Sequence, residues 1–215
     1  MDNKANLENS VSNLHENYFF KEFTYSNNTF CDTHGQEVEL ADNVIYLDGL
    51  MVIFQLKERN SKDYANKEEE QKWFKKKVLG KANKQVKDTL TYLNQNNQIT
   101  LKNQQDDDFI LSKSSVTQIH KIIIYSASEN LPDEYKYKKF HASETVGVIH
   151  IFSIDVYREI IEILMTPAEV SEYLLFRETL IQKWGGLIDS LPEGALIGQY
   201  FSEEYDKKKA KQRLY

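Results

Sequence analysis

Two apolar runs flank a turn signal near the first quarter of the chain. NVIYL and LMVIFQLK are rich in β-branched and aromatic residues, and Asp48-Gly49 separates them. An Asp-Gly pair between such runs favours a two-residue type I′ turn, because both turn residues then take positive φ. The pattern therefore predicts a β-hairpin, and its apolar residues on both faces predict that the hairpin is covered on both sides.

The apolar spacing elsewhere predicts helices around further strands. Residues 7–23 read as an amphipathic helix, with Leu14, Phe19, Phe20 and Phe23 as its apolar stripe. The other predicted elements are a helix at 73–93, buried strands at 119–126 and 147–153, helices at 155–164 and 167–183, and a final helix after a turn at 191–200. Residues 94–109 and 133–144 are interpreted as polar connections. This order predicts a mixed sheet covered by helices, with a core at 1–165 and a helical extension at 166–215 in one compact unit.

Composition narrows the class of protein. The chain has 215 residues, of which 40% are hydrophobic, and a formal net charge of −6. An acidic protein does not coat nucleic acid by charge alone, so any such contact needs a local basic patch. The single cysteine, Cys31, excludes an internal disulfide framework. We find no signal-peptide pattern and no stretch of 18 apolar residues, and therefore expect a cytoplasmic protein without a membrane partner.

Three polar residues stand at the open end of the predicted hairpin. With Asp48 and Gly49 in the turn, Leu47 faces Leu50, and the same register places Asp42 opposite Gln55. Opposed residues share a face, with Cβ atoms about 5 Å apart, and Lys57 follows on that face. A carboxylate and an amide oxygen suit a hard divalent cation, and a lysine can position an attacking water. The alternative is a strand end that emerges into solvent, with Asp42 capping it.

These residues resemble the signature of the PD-(D/E)XK nuclease superfamily. That signature places an acidic residue early in one strand and a (D/E/Q)-x-K element in its hairpin partner. Here the two elements are Glu39-Leu40-Ala41-Asp42 and Gln55-Leu56-Lys57. A bacterial group of unassigned function with this core resembles the chain more closely, over most of residues 12–183. The similar segments are ENYFFKEFTYSN, ELADNVIYLDGLMVIFQLK, WFKKKVLGKANKQV and GVIHIFSIDVYREIIEIL.

The resemblance implies a fold and an activity. The expected fold is a three-layer α/β/α core of restriction-endonuclease type, with a mixed sheet and a helical C-terminal extension. Asp42 would bind Mg²⁺ or Mn²⁺, Gln55 would supply a neutral oxygen ligand, and Lys57 would position or activate water. Glu39 and Glu16 are further acidic candidates. Gln55 stands where most members carry a carboxylate.

The implied function is metal-dependent hydrolysis of phosphodiester bonds in nucleic acid, with DNA as the expected substrate. The alternative is a catalytically degenerate interaction module with the nuclease fold, for which bacterial defence or toxin–antitoxin systems would be natural settings. A third interpretation is a plain structural subunit. A homodimer or a complex with a partner protein is compatible with each of them.

A basic stretch follows the hairpin. Residues 71–87 contain seven lysines (72, 75, 76, 77, 81, 84 and 87) and no acidic residue. We expect Lys75, Lys76, Lys77, Lys81 and Lys84 to contact a phosphate backbone. The alternative is a solvated helix face. Gln85 is assigned to the same site by resemblance, with plain helix surface as its alternative.

The histidines are scattered along the sequence. His120 and His150 lie in predicted strands with apolar neighbours. No metal-binding spacing links them, and we interpret each as a separate, satisfied structural histidine.

Overall fold

A six-stranded mixed sheet forms the centre of the molecule. The fold is taken from a computed structural model that describes residues 7–26, 28–31, 35–59, 66–103 and 105–212, with side chains as far as residue 204. The strands are β1 (Thr24–Ser26), β2 (Thr29–Cys31), β3 (Glu37–Glu39), β4 (Asn43–Leu47), β5 (Leu50–Glu58), β6 (Gln98–Lys102), β7 (Asp108–Ser112), β8 (Gln118–Ser126), β9 (Phe140–Ser143) and β10 (Gly147–Ser153).

The strand order in the main sheet is β1-β4-β5-β8-β10-β9. The three middle strands, β5, β8 and β10, run parallel, and the outer neighbours pair antiparallel. Two small hairpins, β2–β3 and β6–β7, lie outside this sheet. The carboxyl ends of the parallel strands therefore meet at one edge, where ligands commonly bind in open α/β sheets.

Helices cover both faces of the sheet. They are α1 (Leu7–Phe19), α2 (Lys67–Trp73), α3 (Asn83–Gln95), α4 (Asp133–Lys136), α5 (Ile154–Leu164), α6 (Pro167–Trp184) and α7 (Glu193–Gln212). A π-helical segment, Phe74–Ala82, joins α2 to α3. Among the described helices, none combines the length and apolar character that crossing a membrane requires.

Each face of the β4–β5 hairpin is buried in a different core. Val52 and Phe54 pack with residues of α1, α5, α6 and α7 on one face. Met51 and Ile53 pack with Leu93 of α3 and with residues of β6 and β7 on the other. The mixed α/β class and the covered hairpin are as the sequence predicts, and the C-terminal helices share a core with the sheet.

The first helix differs from its prediction. It ends at Phe19 rather than at residue 23, and it buries Leu7, Val11, His15 and Phe19. Phe20, assigned to the apolar stripe, is 61% exposed and takes a positive φ of 66°. The predicted stripe is confirmed at Phe19 and at Leu14, which packs against the core, and it was wrong at Phe20 and Phe23. The buried side follows an i, i+4 series that includes a histidine and therefore does not read as apolar.

Two regions interpreted as polar connections contain regular structure. Residues 94–109 include β6 and the start of β7, and residues 133–144 include α4 and β9. In β6, only Ile99 and Leu101 are buried, and the residues between them are exposed. A strand that buries one face over five residues carries a weak signal when Asn, Gln and Asp surround it.

Candidate active site

The β4–β5 hairpin has the turn and the register that the sequence predicts. Asp48 and Gly49 have φ of 46° and 84°, as a type I′ turn requires. Leu47 pairs with Leu50, and the ladder continues to Asn43 opposite Phe54. A Cβ on Gly49 would lie 2.7 Å from Thr117 Oγ1, so this position also needs glycine for space. The turn thereby fixes which residues meet at the far end of the hairpin.

Asp42 stands at that far end and links the two strands. Its Oδ2 accepts a hydrogen bond from the backbone N–H of Leu56 at 2.5 Å and one from Lys57 Nζ at 3.2 Å. The carboxylate thus caps the strand end, as the alternative interpretation expects. It also holds the lysine amine beside it.

Lys57 does not emerge into solvent. Its side chain is 10% exposed, and Nζ also donates to the Leu56 carbonyl at 2.7 Å. Burial lowers the pKa of Lys57, although Asp42 acts in the opposite direction, and Lys81 lowers it further. The solvated strand end proposed as the alternative is therefore wrong for this residue.

Within the described part of the chain, Gln55 has an unpaired, buried polar atom at this end of the hairpin, as Asn43 does with Nδ2. The residue is 1% exposed, and its Oε1 has no hydrogen-bond partner among the described residues. A buried acceptor left unpaired costs about 1–3 kcal/mol, so native proteins rarely keep one without a reason. Gln85 Oε1, on α3, is a second buried oxygen without such a partner.

Asp42 lines two depressions of the surface. The acidic depression, of about 250 Å³, has three charged lining residues, Glu39, Asp42 and Asp88, and both Gln55 and Gln85 line it. The lysine depression, of about 370 Å³, is lined by Lys57, Lys77 and Lys81 and also by acidic groups. Its acidic lining residues are Glu8, Glu39, Asp42 and Glu58.

The carboxylates at this end of the hairpin repel one another. Partial burial raises the pKa of Glu39, and Asp42 and Glu8 raise it further, whereas Lys57 lowers it. Ionised carboxylates crowded in this way favour a proton or a cation between them. Carboxylate and amide oxygens are also the ligands that hard cations such as Mg²⁺ prefer.

The acidic candidates from the sequence do not all reach the site. Glu39 lines both depressions, but Glu16 lines neither and instead pairs with Lys21 at 3.4 Å. Glu8 of the same helix lies in the lysine depression, eight residues earlier, which is about 12 Å along the axis. The structure therefore places Glu16 outside both depressions, and Glu8 is the acidic residue of this helix that lines one of them. The sequence analysis also missed Asp88, which follows Gln85 by three residues on α3 and so shares its side of the helix.

The basic helix presents its lysines to solvent. All seven are exposed, and none forms an ion pair within 4 Å among the described residues. Of the five proposed as phosphate contacts, Lys77 and Lys81 line the lysine depression, whereas Lys75, Lys76 and Lys84 do not. Lys75 lies over the Tyr135 ring, 5.5 Å from its centroid. Gln85 faces the site rather than open solvent.

No protein-family model, curated protein or solved structure matches the chain. What the protein does must therefore be inferred from the side chains that its own fold brings together.

Proposed function

We propose that this protein is a metal-dependent nuclease with a restriction-endonuclease-like core, acting on phosphodiester bonds of nucleic acid, with DNA as the expected substrate. One observation carries the proposal. Gln55, whose buried side-chain oxygen has no hydrogen-bond partner among the described residues, lines a depression with Asp42 and Glu39, next to a buried lysine whose pKa is lowered.

The residues of the acidic depression fit a divalent cation. Asp42 and Gln55 would hold Mg²⁺ or Mn²⁺, with Glu39 and Asp88 as additional carboxylates in the same depression. A cation would give the Gln55 oxygen a partner and relieve the repulsion that raises the pKa of Glu39. When bound, such a cation supplies a Lewis acid for a phosphate oxygen.

The lysine depression fits the phosphate. Lys57 is held between Asp42 and the Leu56 carbonyl, so its amine is oriented before any substrate arrives. There it would orient the attacking water and stabilise the negative charge that grows on the phosphate. Lys77 and Lys81, exposed on the π-helical segment, would bind the neighbouring backbone phosphates.

A second candidate function is the degenerate interaction module. The observation that favours it is the neutral amide of Gln55, which binds a cation less strongly than a carboxylate does. The two candidates differ in turnover, and a cleavage assay separates them.

The assay uses the full chain with plasmid and single-stranded substrates, Mg²⁺ or Mn²⁺, and EDTA as the control. We expect cleavage that EDTA abolishes. Lys57→Met keeps the aliphatic stem and should lower the rate by about 10²–10³-fold, by analogy with the loss of one oxyanion donor. Lys121→Met is the matched control, because Lys121 is half-buried on the neighbouring strand and lines neither depression.

Three results would decide against the nuclease. They are cleavage that survives EDTA, a Lys57→Met protein as active as the wild type, and no cleavage by the wild type or by Gln55→Glu. The Gln55→Glu variant restores a carboxylate and should bind the cation more tightly. The last result would favour the degenerate module.

A further inference from the structure

Two histidines and a glutamate meet far from the hairpin site. His120 of β8 and His150 of β10 lie on the sheet face that α6 covers, and Glu178 of α6 approaches both. Glu178 Oε1 is 3.8 Å from His120 Nδ1 and 3.5 Å from His150 Nε2, and the three atoms lie within 4.8 Å of one another. None of these residues lines the acidic or the lysine depression.

The two ring nitrogens that face Glu178 lack hydrogen bonds. His120 is 1% exposed and His150 is fully buried, yet His120 Nδ1 and His150 Nε2 have no hydrogen-bond partner among the described residues. Their distances to Glu178 exceed the 2.7–3.2 Å range of ordinary N–H···O hydrogen bonds. The interpretation of these residues as separate, satisfied histidines therefore holds for only one ring nitrogen of each, because the other two nitrogens meet at Glu178 without hydrogen bonds to the described residues.

We propose that His120, His150 and Glu178 bind one first-row transition-metal cation, such as Zn²⁺, which joins β8, β10 and α6. Imidazole nitrogen suits such a cation better than it suits Mg²⁺, so this site differs in chemistry from the one at Asp42. Two histidines and one glutamate with an open fourth position form a known type of zinc ligand set.

The spacing of the three atoms suits a cation between them. Ligands at about 2.0–2.1 Å from a tetrahedral ion lie about 3.3 Å apart, a little closer than the separations from Glu178 seen here. The Glu178 side chain is 25% exposed, which leaves an entry path and room for a water ligand.

A neighbouring donor must move at each histidine before a metal can bind. His120 Nε2 lies 2.9 Å from Ser171 Oγ and 2.8 Å from the Gln118 amide nitrogen. A metal on His120 Nδ1 would put the ring proton on Nε2, so the Gln118 amide must then present its oxygen while Nε2 donates to Ser171. Arg177 Nη1, however, donates to His150 Nδ1 at 3.0 Å, and a metal on Nε2 would require the proton on Nδ1. The guanidinium must then turn towards Glu193, which it already contacts. For this reason we expect weaker binding than in a closed structural zinc site.

Calorimetric titration of the full chain with Zn²⁺ tests the proposal. We expect one site per chain, weakened at least about 10-fold by Glu178→Gln, an isosteric change at a partly exposed position. His141→Ala is the matched control, because His141 lies on the edge strand β9 outside the cluster and should leave binding unchanged. Asp42→Asn, which alters the hairpin site, should also bind Zn²⁺ as the wild type does.

Cobalt gives a readout that needs no variant. Co²⁺ bound to the wild-type chain should show the intense visible absorption of a four-coordinate ion, and Zn²⁺ should displace it. Absence of Zn²⁺ binding, unchanged binding in Glu178→Gln, or loss of binding in Asp42→Asn would each overturn the proposal. Loss of binding in Asp42→Asn would assign the Zn²⁺ to the hairpin site instead. The other two results do not bear on Mg²⁺-dependent cleavage, so the two proposals fail separately.

Discussion

Two buried lysine–carboxylate pairs in this protein have opposite surroundings. In the hairpin site, Lys57 Nζ lies 3.2 Å from Asp42, beside Glu39 and the unpaired oxygen of Gln55. In the second pair, Lys139 Nζ lies 3.5 Å from Glu193. Arg177 and Tyr173 complete the second group, with Arg177 Nε at 2.9 Å and the Tyr173 hydroxyl at 2.5 Å from the Glu193 carboxylate.

The Glu193 carboxylate has two cations and a hydroxyl beside it, although Arg177 Nε makes no hydrogen bond with the described residues, whereas the hairpin site has several carboxylates around one lysine. Burial raises the pKa of Glu193, but Arg177, Tyr173 and Lys139 outweigh it and hold the pKa below its usual range. In the hairpin site, the pKa of Glu39 is raised instead. A buried carboxylate neutralised by neighbouring cations stabilises the fold, whereas carboxylates that repel one another beside an unpaired oxygen indicate a ligand site.

The largest expected effect is the loss of stability when Glu193 is changed. Glu193→Gln leaves Arg177 and Lys139 buried without their anion, which should lower the free energy of unfolding by about 3–5 kcal/mol. Asp42→Asn removes a smaller set of contacts and should cost about 1 kcal/mol. Urea unfolding of both variants measures the difference, and equal costs would contradict the comparison.

The pH dependence of the Glu193 contribution has a definite sign. Its pKa is lower in the folded protein than the value of about 4.3 expected in the unfolded chain. Its contribution to stability is therefore present above that value and is lost as the pH falls through the folded pKa. The gap in stability between wild type and Glu193→Gln should shrink in acid.

The parts of the fold that the sequence could predict are those fixed by local turn and capping residues. Asp48-Gly49 fixes the hairpin register, and β10 occupies the 147–153 predicted for it. Thr166 caps α6 and Pro167 begins it, as the break between the two predicted helices implies. The β6–β7 hairpin was missed because only three of its residues, Ile99, Leu101 and Leu111, are buried.

Only the part of the candidate site that lies on or beside the β4–β5 hairpin could be predicted from the sequence. Asp42, Gln55 and Lys57 lie together because of a local register. The approach of Glu8 and Asp88 depends instead on how α1 and α3 pack on the sheet, which no short pattern encodes. His120, His150 and Glu178 come from three elements that are distant in sequence, so their meeting is a property of the tertiary fold alone.

A smaller effect, on DNA binding, should distinguish the lysines that line the lysine depression from the other lysines of the same helical stretch. If the proposed function holds, the double variant Lys77→Ala/Lys81→Ala should weaken DNA binding and reduce the slope of log affinity against log salt by about 1.8. The control, Lys72→Ala/Lys87→Ala, removes two exposed lysines that line neither depression. Fluorescence anisotropy at several salt concentrations, with Ca²⁺ in place of Mg²⁺, gives both slopes. Equal slopes in the two variants would show that Lys77 and Lys81 do not contact the backbone phosphates.

The smallest expected effect concerns Glu39 and asks whether its charge stabilises or destabilises the folded protein. The pKa of Glu39 is raised in the folded protein, so its contribution to stability is present below the unfolded value of about 4.3 and is lost as the pH rises through the folded pKa. Glu39→Gln should therefore stabilise the protein at pH 7, by about 0.3 kcal/mol after allowance for solvent screening of a partly exposed group. The gain should vanish at pH 3.5.

Thermal unfolding against pH measures this gain as a rise in Tm of about 1 °C. Glu37→Gln is the control, because Glu37 is on the same strand and lines neither depression. Mg²⁺ should raise the Tm of the wild type more than that of Glu39→Gln, since a cation relieves a repulsion that the variant has already lost. If Glu39→Gln were less stable than the wild type at pH 7, the charge of Glu39 would stabilise the fold, as that of Glu193 does. That result would contradict the difference between the two groups at Glu39.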